Sequence, residues 1–413
     1  MLDIPAELLI IISTHMGCRD LRVLVVTSPS ICRLLLPEYL RRCGLVLEDS
    51  RAERSSVKLQ VCDQSGYASL GLWSVSRIFR PPREMYCSIP HGAQEARSAM
   101  EFLMRFLLQP SNTHSLQDFH LSLRGPNTLL LMPQFVKMQG LLYALPYTRL
   151  CFSGYSSVDC LPPSIALLRN GSSRGSRTLT SLVISSDYAF APGLVQATMG
   201  VLRHSPIETL TIYMVSLNSC QWSTLLGGLH MKSLKNIDFE GDIPHAALIR
   251  FLMKHKDLKD ICIRGNVRSG RAQPSRLRNQ PILSRLQTFQ APLAVCCDVA
   301  ERLGDSSNLY KLHVEVSQHH PHDPSFLRLV KVLGNFRQLD HLGLHLVPNL
   351  ASAISQASLD DYDWDEHPVH ALRKVHTLTF FQSLGHRLSP EEIVRPQLLP
   401  THLSCLTHDS DRT

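Results

Sequence analysis

Apolar positions along this chain recur in one short pattern, L-x-x-L-x-L. It is clearest in Leu258-Lys-Asp-Ile261-Cys-Ile263-Arg-Gly-Asn266, where Asn takes the ninth place. The same spacing returns at Leu116/Phe119/Leu121, Tyr147/Leu150/Phe152, Leu179/Leu182/Ile184, Ile207/Leu210/Ile212 and Leu234/Ile237/Phe239. It continues at Leu286/Phe289/Ala291, Leu309/Leu312/Val314, Leu339/Leu342/Leu344 and Val375/Leu378/Phe380. Strand side chains alternate, so in each run the fourth and sixth residues fall on one face. A lone strand cannot bury that face, and the pattern therefore predicts stacked turns that share a core.

From Leu150 onward the fourth-position residues lie 23 to 36 apart, around the roughly 20–29 residues of a leucine-rich repeat. Asn holds the ninth place only at Asn266, with Asp187 and Asp242 as partial substitutes. The expected fold is thus α/β: an irregular leucine-rich-repeat solenoid with parallel strands on its concave side. Helical spacing in Leu194–Leu202, Ala246–Lys254 and Phe326–Leu333 suits the convex side. Three stretches read as insertions: the polar loop Arg169–Arg177, the basic Gly265–Pro281 with Arg268, Arg271, Arg276 and Arg278, and the acidic Leu359–Glu366.

The first fifty residues read differently. Pro5, with Asp3 before it, suits a helix start, and Leu8, Leu9 and Ile12 follow as an apolar stripe. Asp20 opens a second helix with Leu21, Leu24 and Val25 on one face. Thr27-Ser28-Pro29-Ser30 breaks it, and a third helix runs to about Arg42. Three short helices make a small core that usually needs a partner. One reading is a helical cap on the solenoid, although some sixty residues separate it from Leu116.

The run Ile4-Pro5-x-Glu7-Leu8-Leu9-x-x-Ile12, then Asp20-Leu21-x-x-Leu24 and the Leu-rich segment after Cys32-Arg33, resembles the F-box. Together with the repeats, the layout is similar to the F-box/leucine-rich proteins numerous in mushroom-forming fungi. That resemblance implies that the segment docks on the Skp adaptor of SCF-type cullin ubiquitin ligases. By motif, Ile4, Pro5, Leu8, Leu9, Ile12, Leu21, Leu24 and Val25 take the adaptor-contacting or helix-packing places. The third helix lacks the family's Trp, and Gly17-Cys18-Arg19 replaces its Leu-Pro. The expected organisation is an F-box-like segment over 1–48, a connector with the first solenoid turns over 49–108, and degenerate repeats over 109–413. Within the connector, Val57–Val61 alternates like a strand, Leu70–Phe79 reads as a strand or a turn of helix, and Ala93–Leu108 as an amphipathic helix.

Composition narrows the function. A net charge of +7 over 413 residues, without a clustered basic face, does not point to nucleic acid. No apolar run reaches the ~18–20 residues that span a bilayer. Asp3 and Glu7 stand where a signal peptide carries Lys or Arg, so the expected location is cytoplasmic or nuclear and the twelve cysteines are expected as thiols. Asp361, Asp363 and Asp365 are spaced like the start of a calcium loop, but Glu366 and Leu372 occupy the places of its Gly and Glu. His319, His320 and His322 read as an exposed turn rather than a metal site, and Asn170-Gly-Ser172 is a sequon that a cytosolic chain would not have glycosylated. Walker, dinucleotide, nucleophile-elbow and zincin motifs are missing. No catalytic residue and no cofactor are therefore expected.

What remains is a surface of outward-pointing strand residues, on which Asn236, Asp238, Asp260, Arg264 and Lys311 are the candidate target contacts. The expected role is a substrate-recognition subunit that holds an unknown target protein. Its partners would be a Skp-type adaptor and a cullin scaffold, with no nucleic acid and no membrane. The alternatives are a leucine-rich scaffold without a ligase and, less well matched, a leucine-rich GTPase-activating protein.

Overall fold

The computed structural model describes residues 4–48, 58–76, 81–124, 132–155, 176–191, 194–268, 283–303, 308–315, 338–346 and 377–382, with 329, 333, 336 and 375 singly. The chain divides into two compact units, residues 1–207 and 208–413. Leu359–Glu366 and His319–His322 lie outside the described residues, as does most of Arg169–Arg177 and Phe326–Leu333.

The first unit begins with helices α1 (Ala6–His15), α2 (Cys18–Thr27) and α3 (Pro29–Arg42). Helix α2 starts at Cys18 rather than at Asp20, which sits in its first turn, where a negative charge suits the helix dipole. Ser28 ends α2 and caps α3: its Oγ accepts the Ile31 N–H at 3.2 Å, and Pro29 takes the first helical place. A Cys43-Gly44 turn then leads into β1 (Leu45–Glu48). Gly44 has a φ of 74°, and a Cβ there would lie 2.6 Å from Asp63 Oδ2, so only glycine makes this turn without strain.

Next come β2 (Lys58–Val61), α4 (Gln64–Ser76), β3 (Glu84–Ile89), α5 (Ala93–Leu107), α6 (Pro110–Thr113) and β4 (Asp118–Arg124). They are followed by α7 (Met132–Ala144), β5 (Arg149–Tyr155), β6 (Ser181–Ser185) and α8 (Val195–His204). β1 pairs antiparallel with β2; from β2 to β6 each strand lies parallel to the next, in chain order. Parallel neighbours need a crossover, and α4, α5 and α7 occupy these connections.

The second unit holds β7 (Thr209–Ile212), α9 (Ser219–Gly228), β8 (Asn236–Glu240), β9 (Ile243–Pro244), α10 (His245–Lys254) and β10 (Asp260–Arg264). It continues with β11 (Val267–Arg268), β12 (Thr288–Pro292), α11 (Leu293–Leu303), β13 (Lys311–Glu315), β14 (His341–Leu346) and β15 (Thr377–Gln382). β7, β8, β10, β12, β13, β14 and β15 pair in parallel in that order. A separate two-stranded ladder joins β9 to β11. Helix α9 starts with a reciprocal cap, Asn218 Oδ1 accepting the Gln221 N–H at 3.0 Å and Gln221 Oε1 the Asn218 N–H at 2.8 Å.

Each of the ten L-x-x-L-x-L runs forms a strand, and within each unit the strands pair fourth residue to fourth residue. Phe119 faces Leu150 and Leu150 faces Leu182; Ile237, Ile261, Phe289, Leu312, Leu342 and Leu378 follow one another in the second unit. The first-position residues, from Leu116 to Val375, are buried as well. That shared register sets neighbouring strands side by side like on like, so apolar side chains meet apolar side chains along each ladder.

Several expectations change. Gly265–Pro281 is not wholly an insertion, since Val267 and Arg268 pair with Ile243 and Pro244. Asn266, the one residue that completes the repeat signature, is exposed, whereas its counterpart Asp187 is buried at the start of a 3-10 turn. Ser176, inside the polar loop, is buried and donates to Leu145 O at 3.3 Å. Of the two readings of Leu70–Phe79, the helical one holds as far as Ser76, within α4.

Candidate interaction surfaces

Two surfaces stand out, one in each unit. The first is built by α1 to α3. α2 turns Leu21 and Val25 inward, and α3 buries Leu35, Leu36, Tyr39 and Leu40. Helix α1 is different, because Ser13 is its one buried residue. Its Ala6-Glu7-Leu8-Leu9-Ile10-Ile11-Ile12 run is apolar nearly all round, so no single face can hide it. Leu8 is 50% exposed, Ile11 55% and Ile12 46%; Ile4, Ile10, Val23 and Val26 are exposed too.

Leu9 is half-buried in an open cleft against α3, lined also by Ile4, Ala6, Ile31 and Leu34. Of the motif-matched residues, Ile4, Pro5, Leu8 and Ile12 thus face outward, Leu9 and Leu24 are partly covered, and Leu21 and Val25 pack inside. The helices are held from behind. Arg42 Nη1 donates to Met16 O at 2.8 Å, closing the end of α3 onto the α1–α2 turn. Glu38 grips Arg41 and Arg42, and the Arg41 hydrogen bond, aided by that of Arg42, holds its carboxyl down to about 2.

The second surface is the sheet face of β7 to β13 opposite the apolar fourth and sixth positions. Burial alternates along β8, β10, β12 and β13, with the intervening residues half-buried. Here the sequence candidates meet one another. Asp260 Oδ1 accepts Thr288 Oγ1–H at 2.5 Å. In the amide orientation that satisfies every neighbour, Asn236 Nδ2 donates to Asp260 Oδ2 at 2.8 Å and its Oδ1 accepts from Thr209 Oγ1 at 3.0 Å. A polar ladder thereby crosses four successive strands.

Asp238 takes Arg264 in a forked pair, Nη2 donating at 2.9 and 2.8 Å and Nε at 3.3 Å, with Glu240 3.9 Å from Nη1. Gln290 donates to Glu315 at 3.0 Å. Lys311 is a row-mate of Asp260 two strands further on. Burial is the main cause that lowers the His341 basicity beside it, and the Lys311 charge adds to the effect.

Two strand thiols, Cys262 of β10 and Cys151 of β5, are poor nucleophiles. Burial pushes Cys262 up to about 12, with Asp238 adding to it, and Cys151 up to about 11. Cys151 is buried rather than outward-facing. Among the described residues no group of three or more His, Cys, Asp or Glu side chains is placed to hold a metal ion. Among them, too, no helix is long and apolar enough to cross a membrane. The two surfaces differ in chemistry: exposed hydrocarbon on one, ordered hydrogen-bonding groups on the other.

Sequence reasoning missed β3, although Met85, Cys87 and Ile89 alternate as a strand should. It also missed α7, α9 and α11, whose apolar positions had no marked capping residue at their start except Asn218. No protein-family model matches this chain, and no curated protein sequence matches it.

Proposed function

We propose that the chain is a substrate-recognition subunit of an SCF-type cullin ubiquitin ligase: α1 to α3 dock on a Skp-type adaptor, and the repeats hold a target protein. In this reading each unit is a run of degenerate leucine-rich turns. The observation that carries it is α1, an apolar helix left almost entirely uncovered in the folded chain. Contiguous exposed hydrocarbon of this kind marks a protein interface. The F-box resemblance supplies the identity of the partner.

Target binding falls on the open face of β8, β10 and β13, where Asn236, Asp238, Asp260, Arg264 and Lys311 lie. Groups already held by neighbouring strands lose less freedom on binding than free side chains. The ligase then needs only to keep the target near a charged conjugating enzyme, a gain in effective concentration rather than chemistry.

The test is capture by purified Skp-type adaptor. Leu8→Asp with Leu9→Asp places two charges in the interface, and burying an unpaired charge costs several kcal/mol, so binding should weaken by about a hundredfold or more. Circular dichroism and the melting temperature should stay those of the parent, because Leu8 is exposed and Leu9 only half-buried. Equal capture by the variant, or no capture by the parent chain, removes the ligase reading and leaves an interaction scaffold.

A further inference from the structure

His255 closes α10 and is 4% exposed. Both of its ring nitrogens are committed to backbone. Nδ1 lies 2.8 Å from Phe251 O, one turn back in α10, and Nε2 lies 3.0 Å from the Met231 N, in the loop between α9 and β8. A carbonyl can only accept and an amide N–H can only donate. The partners therefore dictate the neutral tautomer with hydrogen on Nδ1 and a lone pair on Nε2.

From these bonds we infer that His255 is an acid-released latch between successive turns of the second unit. In the neutral state it ties α10 to the loop that leads into β8; once protonated, it lets that loop go. A proton added to Nε2 would point at the Met231 N–H, donor against donor, and the buried amide would lose its acceptor.

Among the described residues, no carboxylate is paired with this ring. His230, from the same loop, has its ring centroid 6.1 Å away, and Lys254, on α10, donates to Gly227 O at 3.1 Å. Burial is the largest cause that keeps the ring less basic than usual, and His230 and Lys254 act in the same direction. The Phe251 hydrogen bond opposes them. The chain neighbours Lys232 and Lys256 are exposed cations, and Asp257 is engaged by Arg285 at 3.0 Å. On the strand side, Asp238 and Asp260 are taken by Arg264 and by Asn236 and Thr288.

The linkage has a definite sign. The latched ring resists protonation while the released ring titrates near ~6.5, so release is independent of pH above that value. Below it, opening grows about tenfold per pH unit until the latched ring itself takes up a proton. This loosens the entry to β8, the strand that carries Asn236 and Asp238, and it holds whether or not the chain joins a ligase.

Hydrogen–deuterium exchange of the full chain between pH 7.5 and 5, corrected for intrinsic rates, tests the latch. The amides of residues 229–235 should lose protection below pH ~6.5 with that slope, while β12 stays protected. In His255→Gln, whose amide oxygen can accept from Met231, the slope should vanish. A flat profile in the parent, or the same slope in His255→Gln, overturns the inference. Should the variant not fold, the exchange of the imidazole C2 hydrogen in the parent decides instead. His255 must titrate below the ~6.5 of a free imidazole, and titration at or above that value overturns the latch.

Discussion

Replacing Trp222 by Ala lowers the stability of the second unit by about 3–5 kcal/mol. The indole of α9 is fully buried, its ring 5.8 Å from Phe239, and Phe239 in turn lies 5.7 Å from Phe251 of α10. These three aromatic rings join two helices to the strand between them, so removing the first leaves a cavity in this core. Among the described residues the Nε1–H finds no hydrogen-bond partner, and Gly241 lies against the indole edge. Trp222→Phe keeps part of the ring area and removes that unpaired donor, so it should cost less than half as much. Urea unfolding of the full chain checks both variants. A loss under about 1 kcal/mol in Trp222→Ala would mean that the aromatic stack is not a fixed core.

Gly154→Ala is the second large effect, with an expected cost of about 2–4 kcal/mol. Gly154 sits in β5 opposite Leu123 of β4, with a φ of 153°. A Cβ built there would lie 2.1 Å from the Leu123 carbonyl oxygen. Backbone, not a flexible side-chain end, is what it meets, so the two strands must part at this end of the ladder. Gly140→Ala in α7 is the contrast: nothing lies within 4 Å of the added carbon, and helix propensity alone predicts a gain of about 0.5–1 kcal/mol. Thermal melting should move in opposite directions for the two variants. An unchanged or raised melting temperature in Gly154→Ala would refute the clash.

The face that each strand buries was legible from spacing alone. A period of two places residues four and six on one side wherever the strand lies, and Leu182/Ile184, Ile237/Phe239 and Ile261/Ile263 are all buried as this requires. The three N-terminal helices were legible for similar reasons, because Ser28 and Pro29 punctuate them locally. The exposure of α1 was not: Leu8, Leu9 and Ile12 read as a one-sided stripe, whereas Leu8 and Ile12 are exposed and Ser13 is the helix's buried residue.

Partnerships between distant residues were decided only by the tertiary structure. Asn236, Asp238, Asp260 and Arg264 could be chosen as outward-facing polar residues. That Asp238 would fork onto Arg264, and Asp260 onto Thr288 and Asn236, depends on the strand register. Pairing of Val267 with Ile243 was hidden for the same reason: a two-residue strand has no period to read. His255 shows the limit most plainly. In the sequence it is one of 20 histidines beside Lys254 and Lys256. Burial, and an N–H from 24 residues earlier, turn it into a neutral acceptor. Periodicity reports which side of an element is apolar, because that depends on neighbours a few bonds away. Which donor meets which acceptor depends on how distant strands and helices pair, and only the folded chain sets that.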